Sequence, residues 1–216
     1  MDDISYWNTF YNNKLSISDC SDFCKFILKY FQDNHDINHV LECGCGNGRD
    51  GYALSKKYHV HGVDNSGYIP KSECSKVTFS CDNFVEMKKD GYDLLYSRFT
   101  FHSITNDQHQ TFLKTINPGT YLVIEARSIE GINDDVHHGK EHYRNYIDET
   151  YIKNLLNENG FEILLFEEGR DMAIYKDENP VCIRIICKKW FISAVYLEIN
   201  LQEYINHQTK KIVFFY

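Results

Sequence analysis

A chain of 216 residues is long enough for one domain with a sizeable core and short for two, and 43% hydrophobic with 25% charged residues excludes a disordered protein. With 23 lysines and arginines against 31 acids the net charge is −8, which gives a general grip on nucleic-acid phosphates no support. No run reaches the roughly 18 apolar residues of a membrane span, and "MDDISYWNTFYNN" has neither a basic nor an apolar leader region, so a cytoplasmic protein without membrane or nucleic-acid partners is expected.

Near the start, Tyr6, Trp7, Phe10 and Tyr11 share an i, i+4 face that either packs on the domain or closes over it as a lid. From Asp19 to Phe31 the apolar positions Phe23, Phe26, Ile27 and Tyr30 predict an amphipathic helix, with Ser21 or Asp19 able to cap it. Residues 1–36 then form a helical cap, and a second unit begins at 37. There "HVLECG" predicts a strand, "GRDGYALSKKY" a helix with a weak glycine, and "HVHGVD" a second strand ending in an acid. The pattern repeats loosely, with "KVTFSCD" and "YDLLYSRF" as strands, "QHQTFLKTI" as a helix and "TYLVIEARS" as a strand, which implies a mostly parallel α/β sheet. "DETYIKNLLNENG" predicts a helix with an acidic start and a terminal Gly160, and "FEILLFEEGR" with "PVCIRIICKK" predicts an antiparallel hairpin at one edge. The domain ends near residue 189, and 190–216 is an extension of unassigned role, a possible homodimer contact. The eight cysteines show no paired C-x-x-C spacing and read as reduced thiols.

The chemistry concentrates in Val40 to Ser66. Glycines 44, 46 and 48 form G-x-G-x-G, whose missing side chains let a ligand approach the backbone, but the dinucleotide pattern G-x-G-x-x-G and the Walker lysine are both absent. Asp64 lies 16 residues beyond Gly48, the distance one helix and one strand consume. Alone it fits a solvated strand-end acid; coupled to the glycines it stands where a carboxylate would hold ribose hydroxyls, at about 1.5 to 3 kcal/mol per hydrogen bond.

Through "VLECGCGNG" and "VHGVDNS" the sequence resembles the class I S-adenosylmethionine-dependent methyltransferases over about residues 37 to 190. The resemblance implies a Rossmann-like fold with a mostly parallel seven-stranded sheet, an antiparallel edge hairpin and helices on both faces. It implies S-adenosyl-L-methionine as cofactor and S-adenosyl-L-homocysteine as product. Gly44, Cys45, Gly46, Asn47 and Gly48, with Asp50, would line the methionine and ribose portion, Glu42 would support the loop, and Asp64 with Asn65 would bind the ribose. "FSCDNF" is similar to the adenine-binding turn, which gives Asp82, Asn83 and Phe84. "YWNTFY", "GCGNGRDG" and "YSRFTFHSI" look like small-molecule methyltransferases of the capsule-cluster or tellurite-resistance type, in which Tyr6, Trp7 and Tyr11 would cover the cofactor.

Ser97, Arg98 and His102 follow the fourth strand, where reacting groups gather in such sheets. No Asn/Asp-Pro-Pro-Tyr sequence for nucleobase amino groups and no acidic pair for a magnesium site is present. His102 and His142 are the candidate general bases, His102 being equally readable as a core or capping histidine. The polar run "DDVHHGKEHYR" holds three histidines, though neighbouring histidines rarely converge on a metal, so no metal site is expected and a substrate-recognising insertion is the better reading. Arg127, Tyr143, Arg144 and Arg170 would contact the substrate. The expected activity is O-methylation of a small polar metabolite or sugar derivative. The alternatives are a catalytically inactive binding or scaffold subunit and a protein or RNA methyltransferase.

Overall fold

The computed structural model describes residues 3–12, 19–72, 74–134 and 143–190. Within them lie five α-helices: α1 Asp3–Asn12, α2 Asp22–Tyr30, α3 Arg49–Leu54, α4 Asn106–Lys114 and α5 Glu149–Glu158. Seven strands complete the fold: β1 His39–Cys43, β2 His59–Asp64, β3 Val77–Cys81, β4 Leu94–Arg98, β5 Tyr121–Arg127, β6 Phe161–Gly169 and β7 Cys182–Lys189. They form one sheet in the order β3-β2-β1-β4-β5-β7-β6, parallel from β3 through β5, with β7 antiparallel to both neighbours. The order reverses between β1 and β4, so the carboxyl ends of those strands diverge into a crevice.

Local chemistry sets the helix starts. Of the two candidate caps for α2, Ser21 does the work, its hydroxyl accepting from the Cys24 amide at 3.0 Å. Thr105 and Gln108 close a reciprocal capping box on α4, and Asp148 caps α5 through the Tyr151 amide at 2.7 Å. Gly160, at φ 74°, turns the chain out of α5 into β6. The third helix is shorter than "GRDGYALSKKY" implies, because the chain leaves it after Leu54 in turns that feed β2.

Alternation along the strands divides the core in two. Val40, Leu94, Tyr96, Val123 and Ile186 face α2 and α3, while Leu41, Leu95, Leu122, Ile124 and Ile185 face α4 and α5. The expected hairpin is present as β6 and β7, but β7 is an interior strand between β5 and β6. This explains its largely apolar run, broken by Arg184, since six of its residues are buried while β6 at the margin is half-exposed. Of the extension 190–216, Trp190 alone falls among the described residues.

Candidate functional site

The carboxyl ends of β1, β2, β4 and β5 open into a cleft of about 650 Å3, with α1 along one side and the β6–β7 connection along another. The loop after β1 forms its floor. Gly44 and Cys45 donate their amides to Val63 O on β2, at 2.7 and 3.0 Å, which pins the loop across the two strands. At Gly46 φ is +52°, and a Cβ there would meet the Tyr11 hydroxyl at 2.3 Å, so both the turn and the approach of α1 require glycine. Gly48 behaves differently. It is absent from the cleft lining, and a Cβ on it would strike the Phe79 ring of β3 at 2.7 Å, so it serves strand-to-helix packing.

Two acids flank this floor. Asp64 is buried, with one oxygen accepting from the Gly46 amide and the other from the Ser66 amide, both at 2.9 Å. It therefore fixes the glycine loop to the end of β2 as well as facing the cleft. Glu42 is 4% exposed, and its Oε2 has no hydrogen-bond partner among the described residues. Burial first, then the charges of Asp50 and Asp64, push its carboxyl well above the ordinary carboxylate range. That oxygen packs against Gly51 of α3, where a Cβ would lie 2.5 Å from it, and the Gly51 backbone offsets only part of the rise.

Asp50 also lines the cleft, but its oxygens are committed to structure. They accept from the Ser21 amide and hydroxyl, both at 2.7 Å, and from the Tyr96 hydroxyl at 2.8 Å, clamping the start of α2 onto the sheet. Asn47, Asn65 and Phe84 line the cleft. Asp82 and Asn83 lie outside its lining and are exposed, their side chains bonding the amides of Asn83 and Val85. Tyr6, Trp7 and Tyr11 form the α1 wall, with the Trp7 and Tyr11 rings stacked 5.9 Å apart. Burial and the neighbouring Asp64 raise the Tyr11 hydroxyl far above its usual range, so it remains a hydrogen-bond donor.

Beyond β4 the cleft becomes basic. Ser97 is fully buried and bonded to the Thr100 hydroxyl, and it does not reach the lining. Arg98 does, its Nε donating to Glu125 at 2.9 Å, while Arg184 donates to the other oxygen of the same carboxylate at 2.8 Å. The three residues are direct register partners on β4, β5 and β7. Arg127 lines the cleft with one nitrogen 2.7 Å from Glu178. Between the two arginines Phe99 adopts φ 59°, a left-handed backbone uncommon for an aromatic residue. Its ring centre lies 4.4 Å from the Arg98 guanidinium and 5.9 Å from that of Arg127.

His102 is buried at the cleft wall, where its Nδ1 accepts from the Arg127 amide at 3.1 Å. A ring nitrogen that accepts carries no proton, so in the neutral imidazole the proton sits on Nε2. Tyr143 and Arg144 also line the cleft. Arg170 does not: its fork grips both oxygens of Asp134, at 3.0 and 2.8 Å, and the Asn179 carbonyl, fastening the β6–β7 connection. His142, with His137 and His138, lies outside the described residues. Among the described residues no three histidine, cysteine or acidic side chains are placed to hold a metal.

Phe99, Glu125, Glu178 and Arg184 were invisible to motif reading. Buried acid and base on adjacent interior strands were a signal that only the register could turn into a pair.

Comparison with known proteins gives one family match, a methyltransferase domain over residues 17–165. No curated protein matches the chain. Many solved structures do. A SAM-dependent methyltransferase of Methanosarcina mazei is 18% identical, with TM-score 0.61 over 76% of this chain and 97% of its own. One from Anabaena variabilis is 16% identical, with TM-score 0.67 over 86% and 93%. The 1,6-didemethyltoxoflavin-N1-methyltransferase of Burkholderia thailandensis, which holds 1,6-didemethyltoxoflavin and S-adenosylhomocysteine, is 16% identical, with TM-score 0.64 over 87% of each chain. At these identities the likeness is one of fold.

Proposed function

The chain belongs to the methyltransferase-domain family, and from that premise we propose that it moves a methyl group from S-adenosyl-L-methionine to an oxygen of a small polar metabolite. One observation carries the cofactor assignment. The unpaired Glu42 Oε2, the loop that tolerates no side chain at Gly46 and the Asp64 carboxylate lie together at the β1 and β2 ends of one cleft. This arrangement fits a ligand that bears a cationic amine and a ribose and no phosphate. When bound, the cofactor supplies an electrophilic methyl group on a positively charged sulfur.

The chain's own residues then divide the work. Glu42 answers the positive end of the ligand, and its carboxylate form is favoured once a cation stands beside it. Asp64 holds the loop and offers remaining lone pairs to ribose hydroxyls. Trp7 and Tyr11 exclude water along one wall and give a sulfonium an aromatic face, worth about 0.5 to 2 kcal/mol. Asp50, through Ser21 and Tyr96, positions the start of α2 beside the floor without touching the ligand. His102, accepting from the Arg127 amide at Nδ1, fixes the backbone of that arginine at the cleft wall.

Calorimetric titration with S-adenosylhomocysteine tests this reading. The full chain is expected to bind it, and Asp64→Asn to weaken binding by at least tenfold, since a ribose hydroxyl's charge-assisted bond is worth about 1.5 to 3 kcal/mol. Asp64→Ala is the poorer probe, because it leaves both the Gly46 and Ser66 amides without acceptors, whereas Asn keeps an acceptor for one of them. Unchanged affinity in the Asn variant would sink the assignment.

A further inference from the structure

Resting on the methyltransferase reading, we propose that the outer half of the cleft is a carboxylate site built on Arg98 and Arg127, and that the carboxylate oxygen itself accepts the methyl group. Arg98 uses Nε on Glu125, and its two terminal nitrogens, on a side chain 18% exposed and lining the cleft, have no partner among the described residues. Arg127 gives one nitrogen to Glu178 and has Nε and its other terminal nitrogen without a described partner. Both guanidinium groups lie against Phe99, whose left-handed backbone costs about 1 to 2 kcal/mol and persists where it has a use.

The donor geometry agrees. Arg98 and Arg184 share the single carboxylate of Glu125, and Arg127 pairs with Glu178, so each guanidinium is held in place by an acid while Arg98 and Arg127 keep further N–H groups at the same wall. A planar fork of N–H donors matches a carboxylate bidentately.

The acid–base inventory points the same way. A hydroxyl acceptor must lose a proton as it is methylated, so a base has to stand by. Among the described acids and histidine of the lining, Asp50 and Asp64 are committed to amides and hydroxyls, and Glu178 to Arg127. Asp22 is bound to Lys25, Asp19 is exposed at the rim, Glu42 lies in the floor beyond the glycine loop, and His102 has its proton on Nε2. A carboxylate needs no base. Its oxygen lone pair forms the new bond to the methyl carbon, the carbon–sulfur bond breaks with its electron pair passing to sulfur, and a methyl ester and a neutral thioether result with no proton moved.

The test begins with binding. The full chain with S-adenosylhomocysteine present is titrated calorimetrically with benzoate, malonate and adipate, with the corresponding amides, and with phenyl phosphate. The expected result is at least one acid binding tenfold or more tighter than its amide and tighter than the phosphate ester. Arg98→Gln and Arg127→Gln, checked for an intact melting transition, should each abolish that preference. With methyl-labelled S-adenosylmethionine the label should enter the preferred acid and leave as methanol in mild alkali, as esters do and ethers do not. Equal binding of amides, a preference for the phosphate ester, no binding by any acid, or label that survives alkali each overturns the inference. Failure to bind S-adenosylhomocysteine would instead strike the methyltransferase reading beneath it.

Discussion

Replacing Glu125 with alanine should be among the most damaging single changes outside the apolar core. The carboxylate has no exposed surface, and its oxygens accept at 2.9 and 2.8 Å from Arg98 and Arg184, whose side chains are 18% and 10% exposed. Burial raises the carboxyl's pKa above its usual value, and the two guanidinium groups offset only part of that rise. Protonating it would leave two cations facing each other inside the sheet, so the ionised form fits the geometry. Removing one partner of such a buried pair costs about 3 to 5 kcal/mol, because the remaining charge has neither water nor a counter-ion. For a chain of this size each kcal/mol moves the melting temperature by roughly 2 to 4 °C, so a fall of roughly 6 to 20 °C is expected in a calorimetric scan. A second variant sharpens the reasoning: Arg98→Met, Glu125→Leu and Arg184→Met together should recover most of the loss, since apolar replacement of a whole buried ionic group is often neutral. A Glu125→Ala protein within 1 kcal/mol of the parent by urea titration would refute the claim that these charges depend on one another.

Other expectations concern the cleft floor and the thiols. Glu42→Gln should raise the melting temperature of the free protein, and the advantage should grow as pH climbs above the ordinary glutamate range. A carboxyl held protonated by the fold lends its stability below the unfolded pKa near 4.3 and loses it as pH rises toward the elevated folded value. The same variant should bind S-adenosylhomocysteine more weakly, and a melting difference that is flat with pH would contradict the burial argument. Gly46→Ala should lower cofactor affinity at least tenfold in calorimetry, because its methyl would collide with the Tyr11 hydroxyl; native affinity would mean that α1 moves aside freely. Iodoacetamide at pH 8 should modify Cys74 ahead of Cys81, since a hydrogen bond with Ser55 lowers the Cys74 thiol. Peptide mapping that found the buried Cys24, Cys43 or Cys187 labelled first would count against this packing.

What the sequence revealed follows from which features are local. The strands β1, β2, β4 and β5 stand out as short apolar runs with turn residues at their ends, and the caps at Ser21 and Gly160 are short-range signals. The glycine loop and Asp64 belong to the same class, since one helix and one strand fix their separation. Residues whose meaning depends on register or long-range packing escaped. Gly48 reads like its two neighbours in the motif but packs on Phe79, 31 residues away. Asp50 lines the cleft but also clamps Ser21 and Tyr96, and Arg170, outside the lining, grips Asp134. Glu125 passes for an ordinary acid in an apolar strand until the pairing of β4, β5 and β7 sets arginines on both sides of it.

Cys45 sits on the loop that would face a methylating agent, and sulfur is a better methyl acceptor than most oxygens once it is ionised. Burial above all, then the neighbouring acids Glu42 and Asp64, push its thiol far above the usual range, so it stays protonated. The burial and the acids that suit the floor to a cation thereby also quench its thiols, Cys43 being held high by burial as well, and a protein that handles a reactive alkyl donor is shielded from modifying itself.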